Sequence, residues 1–341
     1  NSMLLALAVV FGACLYMYTG NSFTASKALF LCIGVAFAFI KVSVYSMIGL
    51  FTESKEQHNS FMSSIEGFFM VGIASAYFLF PAFFDGNNPD AWLRVYLLLA
   101  GLIAIAFFLL LFTKIDVAIP KSEGRLIDDF TGMIKLIALP LTIFFILSAF
   151  CFVMVEQGIM TWLPTFNERV LSLNDTLSVQ MASILALSLA AGRFLAGQAV
   201  KKLHWLKIVS VCLLVAAAIV AFVLPQALNA GPRTIHAFSE IPAIGFIFPL
   251  IGLFIAPIYP LLSSATLSAL PQRMHSSMTG LIVIFSALGG TLGSRIIGML
   301  FQHVGGAQAF YFMLVPIAVL LVTLTLLNKF IKDYENAHPQ N

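Results

Sequence analysis

Ten stretches of the chain are each apolar over the length of about 20 residues that a helix needs to cross the hydrocarbon core of a membrane. They lie near 3–19, 28–51, 62–84, 91–113, 138–164, 177–200, 206–226, 241–268, 276–301 and 308–328. The other spanning structure, a closed barrel, would alternate apolar and polar residues along short strands. Runs such as Leu97–Phe112 are continuously apolar instead, so the expected fold is an all-α polytopic membrane protein with ten transmembrane helices. A water-soluble fold fails on composition. Charged residues are 10% of the chain and mean hydropathy is +0.99, whereas soluble proteins carry about 25% charged residues. Thirty-three Phe among 341 residues exceed what one soluble core would hide. The net charge of +3 is small and scattered, which argues against a nucleic-acid partner. Cys14, Cys32, Cys151 and Cys212 sit inside apolar runs without Cys/His spacing, so neither a disulfide framework nor a metal site is expected.

The punctuation between the spans sets the organisation. Asp85-Gly-Asn-Asn-Pro89, Asn229-Ala-Gly-Pro232 and Gly305-Gly306 read as turns. The longest polar stretch carries Lys114, Lys121, Arg125 and Lys135 with Asp116, Glu123, Asp128 and Asp129. It reads as a linker dividing four spans from six. The expected divisions are 1–113 as a partial N-terminal helical half, 114–137 as a cytoplasmic linker, 138–330 as a six-helix C-terminal half, and 331–341 as a tail. Orientation follows the excess of Lys and Arg in cytoplasmic loops. With residue 1 inside, Lys55, Lys114, Lys121, Arg125, Lys135, Lys201, Lys202, Lys207, Arg273, Lys329 and Lys332 fall on the inner side. Only Lys27, Arg94, Arg169 and Arg233 fall outside. Both ends of the chain are therefore expected in the cytoplasm.

Several segments carry a family likeness. Gly192-Arg-Phe-Leu-Ala-Gly197, followed by Lys201-Lys202, resembles the loop signature after the second and eighth helices of the major facilitator superfamily, with Gln198-Ala-Val-Lys201 where the family places an Asp. Val155-Glu-Gln-Gly-Ile-Met-Thr-Trp-Leu-Pro164, Ala256-Pro-Ile-Tyr-Pro260 and Ser286-Ala-Leu-Gly-Gly-Thr-Leu-Gly-Ser-Arg295 resemble the fucose/glucose:proton symporter branch. The resemblance implies a two-half bundle of twelve helices. The ten spans would then be family helices 3 to 12, with a truncated N-terminal half.

Ionisable residues inside spans are costly, by about 2.5–3.5 kcal/mol on insertion scales, and mark partners or cavities. Lys41, Glu66, Glu156, Arg193 and Arg295 qualify. Glu156 and Arg295 lie about 18 and 19 residues into their spans, roughly 27 Å along helices that the resemblance makes parallel neighbours. An ion pair is expected between them, either locking the helices or with Glu156 as the proton-coupling carboxylate tuned by Arg295. Lys41 and Tyr45 lie one turn apart, on a helix that the family aims at its central cavity, and are read as substrate-binding. Gln157, Thr161 and Trp162 form a polar-aromatic face suited to sugar hydroxyls, and Trp162 reads equally as an interfacial anchor. Pro249, Pro257 and Pro260 interrupt a span near Tyr259 and Ser263, also candidate solute contacts. Glu66, opening its span, is read as a gate residue meeting Arg193 or Lys201, or as a charge favoured at its own helix N-terminus. Ser286, Gly290, Ser294 and Gly298, widened by Gly289 and Gly293, read as a smooth packing strip.

The function these features imply is secondary active transport of a small polar solute, a sugar in the leading reading, by alternating access coupled to protons. An organic-anion or drug transporter of the same superfamily is the alternative, and a non-transporting receptor or scaffold a second one. No HExxH, Gly-x-Ser-x-Gly or phosphate-binding Gly-x4-Gly-Lys-Ser/Thr motif occurs, so neither an enzyme nor a cofactor is expected. The expected partners are the solute, protons and the bilayer, for a monomer in a plasma membrane, the bacterial inner membrane in the leading reading.

Overall fold

The computed structural model describes residues 2–52, 55–84, 88, 90–113, 126–227, 235 and 237–338. Its helices run, in chain order, α1 (Ser2–Gly20), α2 (Phe23–Phe51), α3 (Lys55–Leu79), α4 (Val95–Phe112), α5 (Leu126–Ile137), α6 (Pro140–Arg169), α7 (Asp175–Ala199), α8 (Trp205–Ala227), α9 (Ala243–Ile247), α10 (Ile251–Ile255), α11 (Ile258–Ser268), α12 (Gln272–His303), α13 (Gly306–Phe310) and α14 (Leu314–Ala337). Among the described residues, ten helical stretches are long and apolar enough to cross a membrane. They match the ten expected from hydropathy. Large apolar side chains face outward along them, with Phe30 71%, Phe68 70% and Phe222 75% exposed. Contiguous surface of that kind belongs against lipid rather than water, and the chain is an integral membrane protein.

The chain interruptions follow local chemistry. The span beginning at Ala243 is broken by a 3-10 turn at Phe248–Leu250 and again at Pro257. Pro249 and Pro257 cannot donate the helical hydrogen bond at those points. Pro260 falls in the first turn of α11, where an N–H would have no intrahelical acceptor. Gly305 adopts φ +97° between α12 and α13, a conformation glycine reaches without a Cβ clash. The last span runs on as helix to Ala337, well past 328, through lysine and glutamate, which are good helix formers in water. Residues 114–125 of the linker and the turns at Asp85–Asn87 and Asn229–Pro232 lie outside the described residues, whereas 126–137 form α5.

Contacts group the chain into two compact units: Asn1–Phe51 with Leu79–Arg125, and Thr52–Phe78 with Leu126–Asn341. In the first unit, α1 packs on α2 and α4 around Ala13, Cys14, Met17, Leu29 and Ala100. The second unit is organised by α6, whose most extensive neighbour is α12. The small-residue strip makes that contact. A Cβ at Gly289 would overlap the Phe150 carbonyl oxygen, and one at Gly293 the Met154 carbonyl oxygen. The two backbones therefore touch, with Gly298 under the Trp162 ring. Pairing 289 with 150 and 293 with 154 makes the helices parallel and sets their register.

Gly289→Ala and Gly293→Ala are expected to lower the thermal unfolding midpoint in detergent. Overpacking costs about 1–3 kcal/mol, which outweighs the roughly 1 kcal/mol gain in helix propensity. Gly101→Ala, on α4 with nothing within 4 Å of the added methyl, should leave the midpoint unchanged or raise it. Equal midpoints for all three variants would contradict a backbone-on-backbone contact.

Candidate functional site

Three helices of the second unit converge on one side chain. Asn174 caps α7, its side chain accepting the Leu177 N–H at 2.8 Å, and Asp175 sits in the first turn, where a carboxylate suits the helix dipole. Near the far end of α7, Gly192 lets the backbone press on the Leu253 carbonyl of α10. The following residue, Arg193, is only 1% exposed. Its Nη1 donates to Glu66 Oε2 at 2.7 Å and to the Glu66 carbonyl oxygen at 3.0 Å. Its Nη2 donates to Glu156 Oε1 at 2.7 Å. Glu66 comes from α3 and Glu156 from α6, and both are buried.

The guanidinium fork explains the choice of residue. It presents several donors in one plane, so one arginine can hold two carboxylates from different helices, which the single ammonium of lysine does less rigidly. Hydrogen bonds between ionised groups are about twice as strong as neutral ones. Around this pairing α3 and α7 fit closely: Gly67 leaves room for the Phe194 ring, and Phe68 meets that ring edge-on at 5.5 Å. The three groups carry two negative charges and one positive.

The expected gate contact between Glu66 and Arg193 is present as geometry. Its alternative, a charge at a helix N-terminus, fails because α3 begins at Lys55 and Glu66 lies about three turns inside. Lys201 is exposed and donates to Gln198 Oε1 at 3.2 Å rather than reaching Glu66.

The expected Glu156–Arg295 pair is absent. The depth was right, since Gly293 beside Met154 puts Arg295 level with Glu156. The azimuth was not. Each residue stands two positions beyond the contact line, about 200° around its own helix, so the two side chains leave in opposite directions. Glu156 is buried toward Arg193, and Arg295 is exposed.

The proposed solute contacts fall into three groups. In the first unit, the Lys41 ammonium lies 5.3 Å from the ring centroids of Phe37 and Tyr45, one turn to either side, so Lys41 and Tyr45 share a face as expected. In the second unit, Gln157 is half-buried against Gly290, and Thr161 is exposed. Trp162 is engaged elsewhere: its Nε1 donates to the Ser294 carbonyl at 2.7 Å and its ring stacks on Phe301 at 5.4 Å. Tyr259 and Ser263 are buried, Tyr259 against the Phe152 ring, and Tyr45 in the first unit is buried as well. The link between Glu156 and Arg193 was missed. The signal for it was present, because Glu156 lies off the glycine-facing side of its helix and needs a cation elsewhere. Among the described residues no three of His, Cys, Asp and Glu group as a metal site.

Comparison with known proteins places this geometry in a family. No curated protein matches the chain in sequence. Among solved structures, the E. coli fucose:proton symporter FucP superposes with a TM-score of 0.70 at 12% identity, over 96% of this chain and 83% of that one. The human organic anion transporter MFSD10 (TETRAN) superposes with a TM-score of 0.65 at 16% identity, over 95% of this chain and 76% of that one. At those identities the likeness establishes the fold alone. The sequence profile of the Major Facilitator Superfamily matches residues 1–294. With ten spans, a shared fold and a family match over most of its length, the chain belongs to the Major Facilitator Superfamily and is a membrane transporter, not an enzyme.

Proposed function

We propose that the chain moves a small polar solute, a sugar in the leading reading, by alternating access coupled to protons, with Arg193 as the hub of a protonation-sensitive gate. The observation that carries this reading is the pair of buried carboxylates held by one guanidinium at 2.7 Å on each side. Glu156 and Arg193 stand on α6 and α7, which pack together within the six-helix half. Glu66 comes from a helix that precedes the linker. The Arg193–Glu156 bond is the standing one, and the Arg193–Glu66 bond is the one broken when the gate opens. Glu156 is the carboxylate that takes the coupling proton, and protonating it weakens the bond that holds Arg193 in place against Glu66. The fold shared with a fucose:proton symporter supports the sugar and the proton. In this reading the chain is a monomer in a plasma membrane, the bacterial inner membrane being the one proposed, with both ends in the cytoplasm. Gln157, Thr161, Lys41 and Tyr45 are its proposed solute contacts.

A second reading, transport of an organic anion, draws on two cations set deep in spans. They are Arg295, exposed on α12, and Lys41 between its two rings. The two readings separate in proteoliposomes. Labelled hexoses and labelled organic anions are offered with and without an inward proton gradient. Hexose accumulation driven by the gradient supports the sugar reading. Uptake of the anions alone overturns it.

Three outcomes test the mechanism. Glu156→Gln should retain solute exchange across the membrane and lose accumulation driven by a pH gradient, and intact accumulation would leave Glu156 a purely structural anchor. Glu66→Gln should enrich the inward-open state about fivefold, the population change that corresponds to roughly 1 kcal/mol. Exchanging the charges in a Glu66→Arg/Arg193→Glu variant should restore part of the balance, as read by distances between spin labels on the helix ends. Cysteine at position 41 or 45 should react with a small polar thiol reagent and be protected by solute. Reaction only with membrane-partitioned reagents would place that face in lipid.

A further inference from the structure

The turn between α7 and α8 reads Lys201-Lys-Leu-His-Trp-Leu-Lys207, a run that alternates cations with bulky apolar groups. Lys201, Lys202, His204 and Lys207 are exposed, and so is Leu203, at 55%. Trp205 is half-buried, its ring 6.0 Å from that of His204. A second element joins the turn. The end of α14, which packs on α8, brings Lys332, exposed like Lys329 one turn before it. Burial, then Lys332 and Lys207, hold the His204 imidazole below its ordinary range, and the charged side chains that act on the ring are both lysines. The ring's Nδ1 accepts the Leu206 N–H at 3.3 Å. The first turn of α8, a helix of 23 residues, adds the positive end of its dipole at the same place.

We propose that this turn and the end of α14 form a binding site for the phosphate headgroup of an anionic phospholipid. The lysines and the helix terminus supply the charge that a phosphodiester requires. Leu203 and Trp205 supply what a free phosphate would not need, namely apolar contact at the depth where acyl chains begin, with the indole at the interface that tryptophan favours. Lysine stems extend along apolar surface while their ammonium groups reach headgroups. The face is also the one richer in Lys and Arg, and anionic lipids attract such clusters on the cytoplasmic leaflet.

The test uses the whole chain in nanodiscs of phosphatidylcholine with and without phosphatidylglycerol, with native mass spectrometry counting the lipids retained on release. The wild type should retain phosphatidylglycerol over phosphatidylcholine. Each lysine near a lipid surface is worth about fivefold in affinity. Lys202→Gln/Lys207→Gln/Lys332→Gln should therefore lower phosphatidylglycerol retention by at least about tenfold, leaving phosphatidylcholine retention and the unfolding midpoint unchanged. Lys27→Gln, in the first unit, should behave as wild type. Equal retention of the two lipids by the wild type overturns the proposal. So does undiminished retention in the triple variant, a loss matched by Lys27→Gln, or displacement of the lipid by inorganic phosphate, which would make this a free-anion site.

Discussion

A guanidinium enclosed by helices that lie in lipid has no water to fall back on. Left alone it would carry an idealised desolvation cost of order 20 kcal/mol, and a cost of several kcal/mol after relaxation. Arg193 offsets that cost with a carboxylate that α3 and α6 each bring to it at 2.7 Å. Much of the local architecture serves that meeting. The glycine before it lets α7 settle against α10, the phenylalanine after it fills the space above Gly67, and α6 is held in place by its backbone contact with α12. Anything that removes one partner changes the energy of a group that cannot turn to solvent.

How much of this was readable beforehand differs by level. The ten spans were, because a membrane converts fold into a count of apolar stretches long enough to cross it. The broken span was too, since a proline without an N–H declares itself locally. Pairing between helices was readable only in part. The rise per residue fixes how deep a side chain lies, so Glu156 and Arg295 were correctly placed at one level. Which way each side chain leaves its helix depends on which faces are already taken. The run Gly289, Gly290, Gly293 names the occupied face of α12, and Arg295 lies well off it. The strip was identified as packing, and carrying it around the helix would have separated the pair.

Other differences have a similar origin. Glu66 was placed at the start of its span because hydropathy rises there, yet the helix begins at Lys55 in polar sequence. Helices outrun the apolar segments they contain. Trp162 was open to two readings, and its indole bonds Ser294 and covers Gly298, which fits neither a sugar platform nor a free interfacial anchor. Tyr259 and Ser263 share a face as their spacing requires, but that face points inward against Phe152. A shared face alone does not say whether it meets a cavity or a neighbouring helix.

The outward-facing side chains have a consequence for how such a protein diverges. A position such as Phe30 or Phe222, open to lipid, asks only for an apolar group, and many residues answer. Other described positions ask for more: the glycines where backbones touch, and the arginine where two acids meet. Apolar exchange at a lipid-facing position leaves those clearances and charges untouched. A fold held by demands of this kind can persist in chains that share about one residue in eight, as it does here with FucP at 12% identity and a TM-score of 0.70.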